Sequence, residues 1–295
     1  MTVRRFSNII VATDLSPASR AAYRHAVLFA QRYEGRVALL YAEEDAEAIE
    51  RAQDLPEVTA RHRTERKLRR QELEAAEAHF RGRDIPVEVV EMSGSAHRAI
   101  LEHAEASQAD LIVMAKHGAR QSDPGLMGST AERVAHNAHV PILVGFTPTP
   151  ALDDVTPYGR FAVSTDYSED SRHGIAAVAE LGTTFAAKVD VLHAITVPGD
   201  VDRTWQQDYC EAQKSHLKEV LAEMGHENLE AVIGVGLRVP QAVIAAAQRC
   251  NTDLLCIPTH GKGAIRRAIF GSVADRVMKL APLPTMIMPR RWLSD

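Results

Sequence analysis

The chain predicts an α/β protein of two tandem, doubly wound domains, each built on a five-stranded parallel sheet flanked by helices. Three observations lead there. Short apolar runs of strand length alternate with amphipathic helical stretches along the whole sequence. The succession then repeats: Val11-Ala12-Thr13-Asp14-Leu15-Ser16 matches Val163-Ser164-Thr165-Asp166-Tyr167-Ser168, and residues 37–42 match 189–194, at a constant separation of 152 (163 minus 11). A short frame also recurs, His117-Gly118 with nine residues before Gly128-Ser129, and His260-Gly261 with nine residues before Gly271-Ser272. That frame is separated by 143 (260 minus 117), so the first half is nine residues longer between its second strand and the frame. Duplication of one domain accounts for all of this.

Residues 8–13 form the first apolar strand, ending at Asp14. Ser16-Pro17 reads as a helix start, a hydroxyl at the cap and proline in the first turn, after which Ala22, Ala26 and Phe29 share one face. Further strands fall at 37–41, 86–92, 111–115 and 142–146, with helices between them. In the second half Ser168-Glu169 opens the first helix, and Ile175, Val178, Ala179 and Gly182 lie on its inner face. Residues 254–258 and 285–288 repeat the fourth and fifth strands. Gly234-Val235-Gly236 begins a dinucleotide fingerprint, but Val239 stands where the third glycine belongs, so the stretch reads as a loop. Residues 148–154, rich in proline and acids, suit a short stiff linker, which puts the domains at 1–147 and 155–295.

Composition fits two ordinary cores: 295 residues, 45% hydrophobic and 25% charged. A net charge of −5 argues against a general binder of nucleic acid or anionic membrane. No stretch has the length of a bilayer span, and the first sixteen residues lack a signal-peptide plan, so the cytoplasm is the expected location. Cys210, Cys250 and Cys256 show no CxxC spacing, which predicts reduced thiols rather than disulfides or a zinc knuckle. His136 and His139 share a predicted helix face, yet no third zinc ligand accompanies them. The basic run 61–70 is balanced by Glu65, spaced to pair with Arg69, and by acids from Glu72 onward, so it reads as a solvated helix face.

The recurring frame carries the chemistry. Each copy follows an apolar strand and opens a helix, and a helix N-terminus presents unpaired amides and a positive dipole end, which suits phosphate. In such sheets ligands gather at the carboxyl ends of strands. Asp14 and Asp166 end the first strand of each half, where a carboxylate accepts from sugar hydroxyls or an exocyclic amine, or else simply shapes the turn before the helix. Ser129 with Glu132, and Ser272 with Asp275, also have the spacing of a helix capping box. His117 and His260 read as packed structural residues, since no nucleophile or metal cluster accompanies them. The Gly-x-x-x-x-Gly-Lys-Ser/Thr loop of motor-type ATPases is absent.

These residues resemble the universal stress protein family in its tandem form. The resemblance covers nearly the whole chain and rests on the first-strand aspartate in a Thr-Asp-x-Ser context, the His-Gly-x9-Gly-Ser frame and the helix leading into Val-Pro-Ile-Leu-Val or Leu-Pro-Thr-Met-Ile. It implies the strand order 3-2-1-4-5, hence first and fourth strands side by side. It further implies ATP, with Mg²⁺ where a triphosphate needs it, or a related adenine nucleotide, in at least one half of a sensor or regulator of stress adaptation. Asp14 and Asp166 would contact adenosine, the backbone near Ala42 and Ala194 would line adenine, and Gly118, Gly128, Ser129, Gly261, Gly271 and Ser272 would hold phosphates. The halves would pair as an internal pseudo-dimer through 142–146 and 285–288, with a homodimer left open.

The family's first glycine is Ala115 in the first half and Pro258 in the second, and proline removes an N–H and fixes φ near −65°. Lys262, Arg266 and Arg267 make the second loop the more cationic, whereas Arg120 in the first is opposed by Asp123, so Coulomb attraction tilts the expectation to the second half. Two rival readings stand beside it: a scaffold or small-ligand sensor that has lost the nucleotide, and a slow ATP hydrolase. An enzymatic role is not expected.

Overall fold

The computed structural model describes residues 6–43, 56–118, 127–145, 155–198, 202–259 and 270–294, without the side chains of 56–63 and 294. The predicted linker 148–154, the loop residues Arg120 and Asp123, and the run His260-Gly261-Lys262 through Arg267 lie outside them. The main division into two compact units falls between Val155 and Thr156.

In the first domain β1 (Asn8–Thr13), β2 (Arg36–Glu43), β3 (Val87–Ser93), β4 (Leu111–Ala115) and β5 (Ile142–Gly145) alternate with α1 (Ala21–Tyr33), α2 (Pro56–Arg81), α3 (Ala96–Ala106) and α4 (Ser129–Asn137). Its strands lie in the order β3-β2-β1-β4-β5, every neighbouring pair parallel. The second domain repeats this with β6 (Arg160–Thr165), α5 (Glu169–Phe185), β7 (Lys188–Thr196), α6 (Arg203–Met224), β8 (Leu229–Gly236), α7 (Val239–Arg249), β9 (Leu254–Pro258), α8 (Ser272–Leu280), β10 (Thr285–Met288) and the short α9 (Arg290–Ser294). Its order is β8-β7-β6-β9-β10, again all parallel. Helices on both faces bury the central strands: β4 and β9 are buried at every position, which is why both appear in the sequence as unbroken apolar runs. The separation between the halves has fallen to 143 by Ala96 and Val239, the first residues of α3 and α7, so the extra residues of the first half lie between β2 and α3.

Three local expectations change. The first helix begins at Ala21 rather than at Ser16-Pro17, because Ala21, Ala22 and Tyr23 N–H groups bond to carbonyls three residues back and wind that stretch more tightly than an α-helix. The cap itself survives: Ser19 N donates to Ser16 Oγ at 3.1 Å, as Ser171 N donates to Ser168 Oγ at 3.2 Å. Gly234-Val235-Gly236 is the end of β8 and not a loop, held by pairing of Ala194 with Gly234 and Thr196 with Gly236. His136 sits in the last turn of α4, and His139 lies past its end, so the two do not share a helix face.

All three cysteines are free thiols. No helix among the described residues is long and apolar enough to cross a membrane.

Candidate functional site

Because β1 and β4 are neighbours, the residues leaving their carboxyl ends meet. Asp14 leaves β1 into a sharp turn in which Leu15 adopts φ 64°, and Asp14 Oδ1 accepts from Ser16 N at 3.0 Å and Ser16 Oγ at 2.6 Å. The other carboxylate oxygen faces the loop after β4: a β-carbon on Gly118 would stand 2.5 Å from Asp14 Oδ2, so that position takes glycine for lack of room. Asp14 therefore shapes the turn with Oδ1, as one of its two sequence readings had it, and its Oδ2 lies beside Gly118. Behind it, Thr13 Oγ1 bonds Ser19 Oγ and Tyr23 OH, each at 3.0 Å, which stiffens the turn from the buried side.

The second domain builds the same corner. Ser168 N donates to Asp166 Oδ1 at 3.0 Å, Tyr167 adopts φ 62°, and Thr165 Oγ1 bonds Ser171 Oγ at 3.0 Å.

The base of each loop is closed by hydrogen bonds. Gly128 N donates to Lys116 O at 2.9 Å, and Gly271 N donates to Thr259 O at 2.7 Å. These two glycine amides, expected to be unpaired and open to an anion, are therefore already engaged by the protein. The first-turn amides of α4 (Ser129, Thr130, Ala131) and α8 (Ser272, Val273, Ala274) have no acceptor within their own helices, as at any helix start. Gly128 and Gly271 are the N-caps, in extended conformation, and no side chain caps either helix. Ser129 and Ser272 are first helical residues with exposed side chains, so the capping-box reading of both serines does not hold.

Beyond the aspartates lie Ala42 on β2 and Ala194 on β7, both half-buried, and here the domains diverge. Beside Ala42, Arg69 of α2 ion-pairs with Glu43 and stands 5.2 Å from the Tyr41 ring centre. Arg69 thus leaves the helix face on which it was expected to pair with Glu65, while Arg66, Lys67 and Arg70 remain exposed as predicted. Beside Ala194, Tyr167 packs on His193, with centroids 4.4 Å apart, and on His216 of α6 at 5.1 Å. Sequence reasoning missed these residues, although Tyr41 and His193 immediately precede the alanines that it marked. It also missed Lys116, only 4% exposed beside His117, whose ammonium burial pushes down to about 8. His117 and Gly118 are half-buried; His260, Gly261 and Lys262 lie outside the described residues.

A sequence model described as the universal stress protein family matches residues 5–144 and again 157–289. The chain belongs to the universal stress protein family. It is 32% identical over 143 residues to a universal stress protein of Methanocaldococcus jannaschii, covering 47% of this chain and 81% of that protein. A universal stress protein of Mycolicibacterium smegmatis is 24% identical over 220 residues, 67% of each chain. Among solved structures, a universal stress protein from Archaeoglobus fulgidus superposes with a TM-score of 0.64 at 21% identity, over 96% of this chain and 97% of that one. A functionally unknown protein from Pseudomonas aeruginosa reaches 0.65 at 17% identity, over 99% and 95%. These two likenesses establish the shared fold.

Within this universal stress protein, the residues in place of the family's first glycine are strand residues. Ala115 ends β4, and Pro258 ends β9 opposite Met288 of β10. Proline donates nothing to a ladder, and the β6–β9 pairing stops at Val163 and Cys256, whereas β1–β4 continues one pair further to Ala12 and Met114.

Proposed function

We propose that this universal stress protein binds an adenine nucleotide, ATP or a relative of it, in at least one of its two crevices and serves as a nucleotide-dependent sensor or regulator in stress adaptation. One observation carries the reading: the Asp14 carboxylate and the Gly118 backbone lie side by side across the ends of β1 and β4, a β-carbon on Gly118 falling 2.5 Å from Asp14 Oδ2. That juxtaposition suits a ligand with sugar hydroxyls at one end and phosphate at the other. In the proposed arrangement Asp14 and Asp166 hold the ribose, and the backbone at Ala42 and Ala194 lines the base. Phosphates lie at His117, Gly118, Gly128 and Ser129 in one domain and at His260, Gly261, Lys262, Gly271 and Ser272 in the other, with Mg²⁺ accompanying a triphosphate. Ala115 and Pro258 replace a glycine at strand ends, outside the first-turn amides that would meet the anion. Buried Lys116 adds positive potential beside His117 and Gly118, and the second loop's sequence contains Lys262. The role is binding rather than turnover, in the cytoplasm. β5 and β10 are the proposed surfaces of an internal pseudo-dimer, and a homodimer is compatible with it.

The test uses the full chain. Protein is denatured and its supernatant run on anion exchange, and MgATP is titrated calorimetrically into wild type, Ser129→Asp and Ser272→Asp. A carboxylate at either exposed position repels phosphate without crowding the backbone, unlike a substitution at Gly271, where a β-carbon would stand 2.7 Å from Thr259 O. Adenine nucleotide in the supernatant and weakened MgATP binding in at least one variant are expected. No released nucleotide and no heat with wild type would overturn the proposal in favour of a scaffold.

A further inference from the structure

Just past β4 the first domain has a lysine where the second has a threonine. The two positions share one backbone setting. Lys116 N donates to Gly145 O at 2.9 Å and Lys116 O accepts from Gly128 N at 2.9 Å; Thr259 N donates to Met288 O at 3.0 Å and Thr259 O accepts from Gly271 N at 2.7 Å. Both side chains are enclosed, at 4% and 3% exposure. The frame thus takes a neutral residue here, and enclosing an ammonium costs free energy that a hydroxyl avoids, so packing alone does not account for the lysine.

Strand alternation sets the direction in which Lys116 leaves the sheet. Thr13 bonds Tyr23 of α1, and Gly145, paired with Ala115, lies against Ala21 and His25 of α1, so these residues face that helix. Asp14 and Lys116 come next along their strands and face the other way. Because β4 leads to β5 in the opposite sense to β1 and β2, a right-handed crossover puts α4 on this second face. The start of α4 is level with the lysine: a β-carbon on Gly128 would stand 3.4 Å from Lys116 O and 4.0 Å from Gly118 N. The Asp14 carboxylate, the Lys116 side chain and the first turn of α4 therefore border one corner of the first crevice.

We propose that Lys116 pairs with the phosphates of the ligand in the first crevice and makes that domain selective for a multiply charged ligand over an uncharged nucleoside. This rests on the nucleotide reading above. A lysine serves phosphate as a point charge, and in an enclosed site the attraction is little screened. Burial alone pushes the ammonium down to about 8, and an anion beside it favours the charged form, so binding draws in a proton. The other ionisable groups around this corner are Asp14, His117, His97 at the start of α3, Glu132 in the first turn of α4 and, across the sheet, His25. All of them remain when Lys116 is replaced, so the change in proton uptake isolates the lysine.

The experiment uses the full chain carrying Ser272→Asp, which reads the first crevice. MgATP, tripolyphosphate and adenosine are titrated calorimetrically at pH 8 in two buffers of different ionisation enthalpy. MgATP is expected to bind with uptake of about half a proton, fading toward pH 6. Lys116→Thr, which copies the second domain, and Lys116→Met, which keeps the apolar stem, should each abolish the uptake. Both should weaken MgATP and tripolyphosphate roughly 10- to 150-fold and leave adenosine unchanged. MgATP bound as tightly in both variants as in their parent, or adenosine weakened as much as MgATP, overturns the charge-pairing role while the nucleotide reading stands. Binding abolished by Ser272→Asp alone does the same by placing the ligand in the second domain. Failure of wild type to bind MgATP, tripolyphosphate or adenosine ends both.

Discussion

Where the first helix of the second domain passes its fourth strand, Gly174 lies against the ring of Pro258, and a β-carbon on Gly174 would stand 2.5 Å from Pro258 Cγ. The equivalent residues of the first domain are Ala22 and Ala115, both buried. Atoms removed from the helix have been added to the strand, and packing is conserved although neither residue is. A second exchange lies near the amino-terminal ends of two other strands, β6 and β7. Asp190, fully buried on β7, receives Arg160 Nη1 at 2.9 and 3.0 Å, where the first domain has Ala38 and Asn8. A third places His25 in the core of α1 where α5 has Ala177. The two domains therefore show which features the backbone frame requires, the aspartate turn and the closed loop base, and which are interchangeable fillings.

Both tryptophans belong to the second domain, so their fluorescence follows its unfolding while far-UV circular dichroism follows the whole chain. The largest expected effect is Arg160→Ala, which strands a buried carboxylate and should cost the second domain about 3–5 kcal/mol in urea unfolding read by tryptophan emission. The double change Arg160→Asn with Asp190→Ala copies the first domain and should recover most of that loss. A double variant as unstable as the single one would show that the pair is not an interchangeable filling.

Next is acidification. Burial, helped by the Arg24 charge, lowers His25 from 6.5 to about 3, so the folded first domain keeps this imidazole neutral. Below pH 6.5 the unfolded chain takes up the proton first, and stability fully present above that pH is lost as pH falls toward 3. At pH 5 the loss is about 2 kcal/mol. It should appear in circular dichroism without a matching change in tryptophan emission, and should vanish in His25→Gln.

Gly174→Ala follows, with an overpacking cost partly offset by better helix propensity, a net loss of about 1–2 kcal/mol. Adding Pro258→Ala should remove the loss, and a double-mutant cycle measures the coupling; strict additivity would separate the two positions. The smallest effect is on helix stability in Ser129→Asp and Ser272→Asp. An acid in the first turn should stabilise each helix by about 0.3–1 kcal/mol in thermal unfolding, even as nucleotide affinity falls.

Strands were legible because burial on both faces leaves nothing but apolar residues, as in Leu111 to Ala115 and Leu254 to Pro258. The second half of the repeated frame was legible too: Gly128 and Gly271 are N-caps and Ser129 and Ser272 first helical residues in both domains, because a duplicated spacing reflects a duplicated strand-to-helix connection. Less could be read where one residue type serves two structures. Glycines at 234 and 236 suggest a loop until strand pairing claims them, and Ser16-Pro17 marks a helix start without saying how tightly its first turn winds.

Two tandem doubly wound domains, and the aspartates and glycine frames at their strand ends, follow from periodicity and repetition, which are properties of neighbours along the chain. That Gly128 and Gly271 spend their amides on Lys116 and Thr259, that Arg69 turns inward to Glu43, and that Tyr167 joins His193 and His216 could emerge only on folding. Each of these depends on residues brought together from distant segments, whose meeting is governed by three-dimensional packing and not by any local pattern.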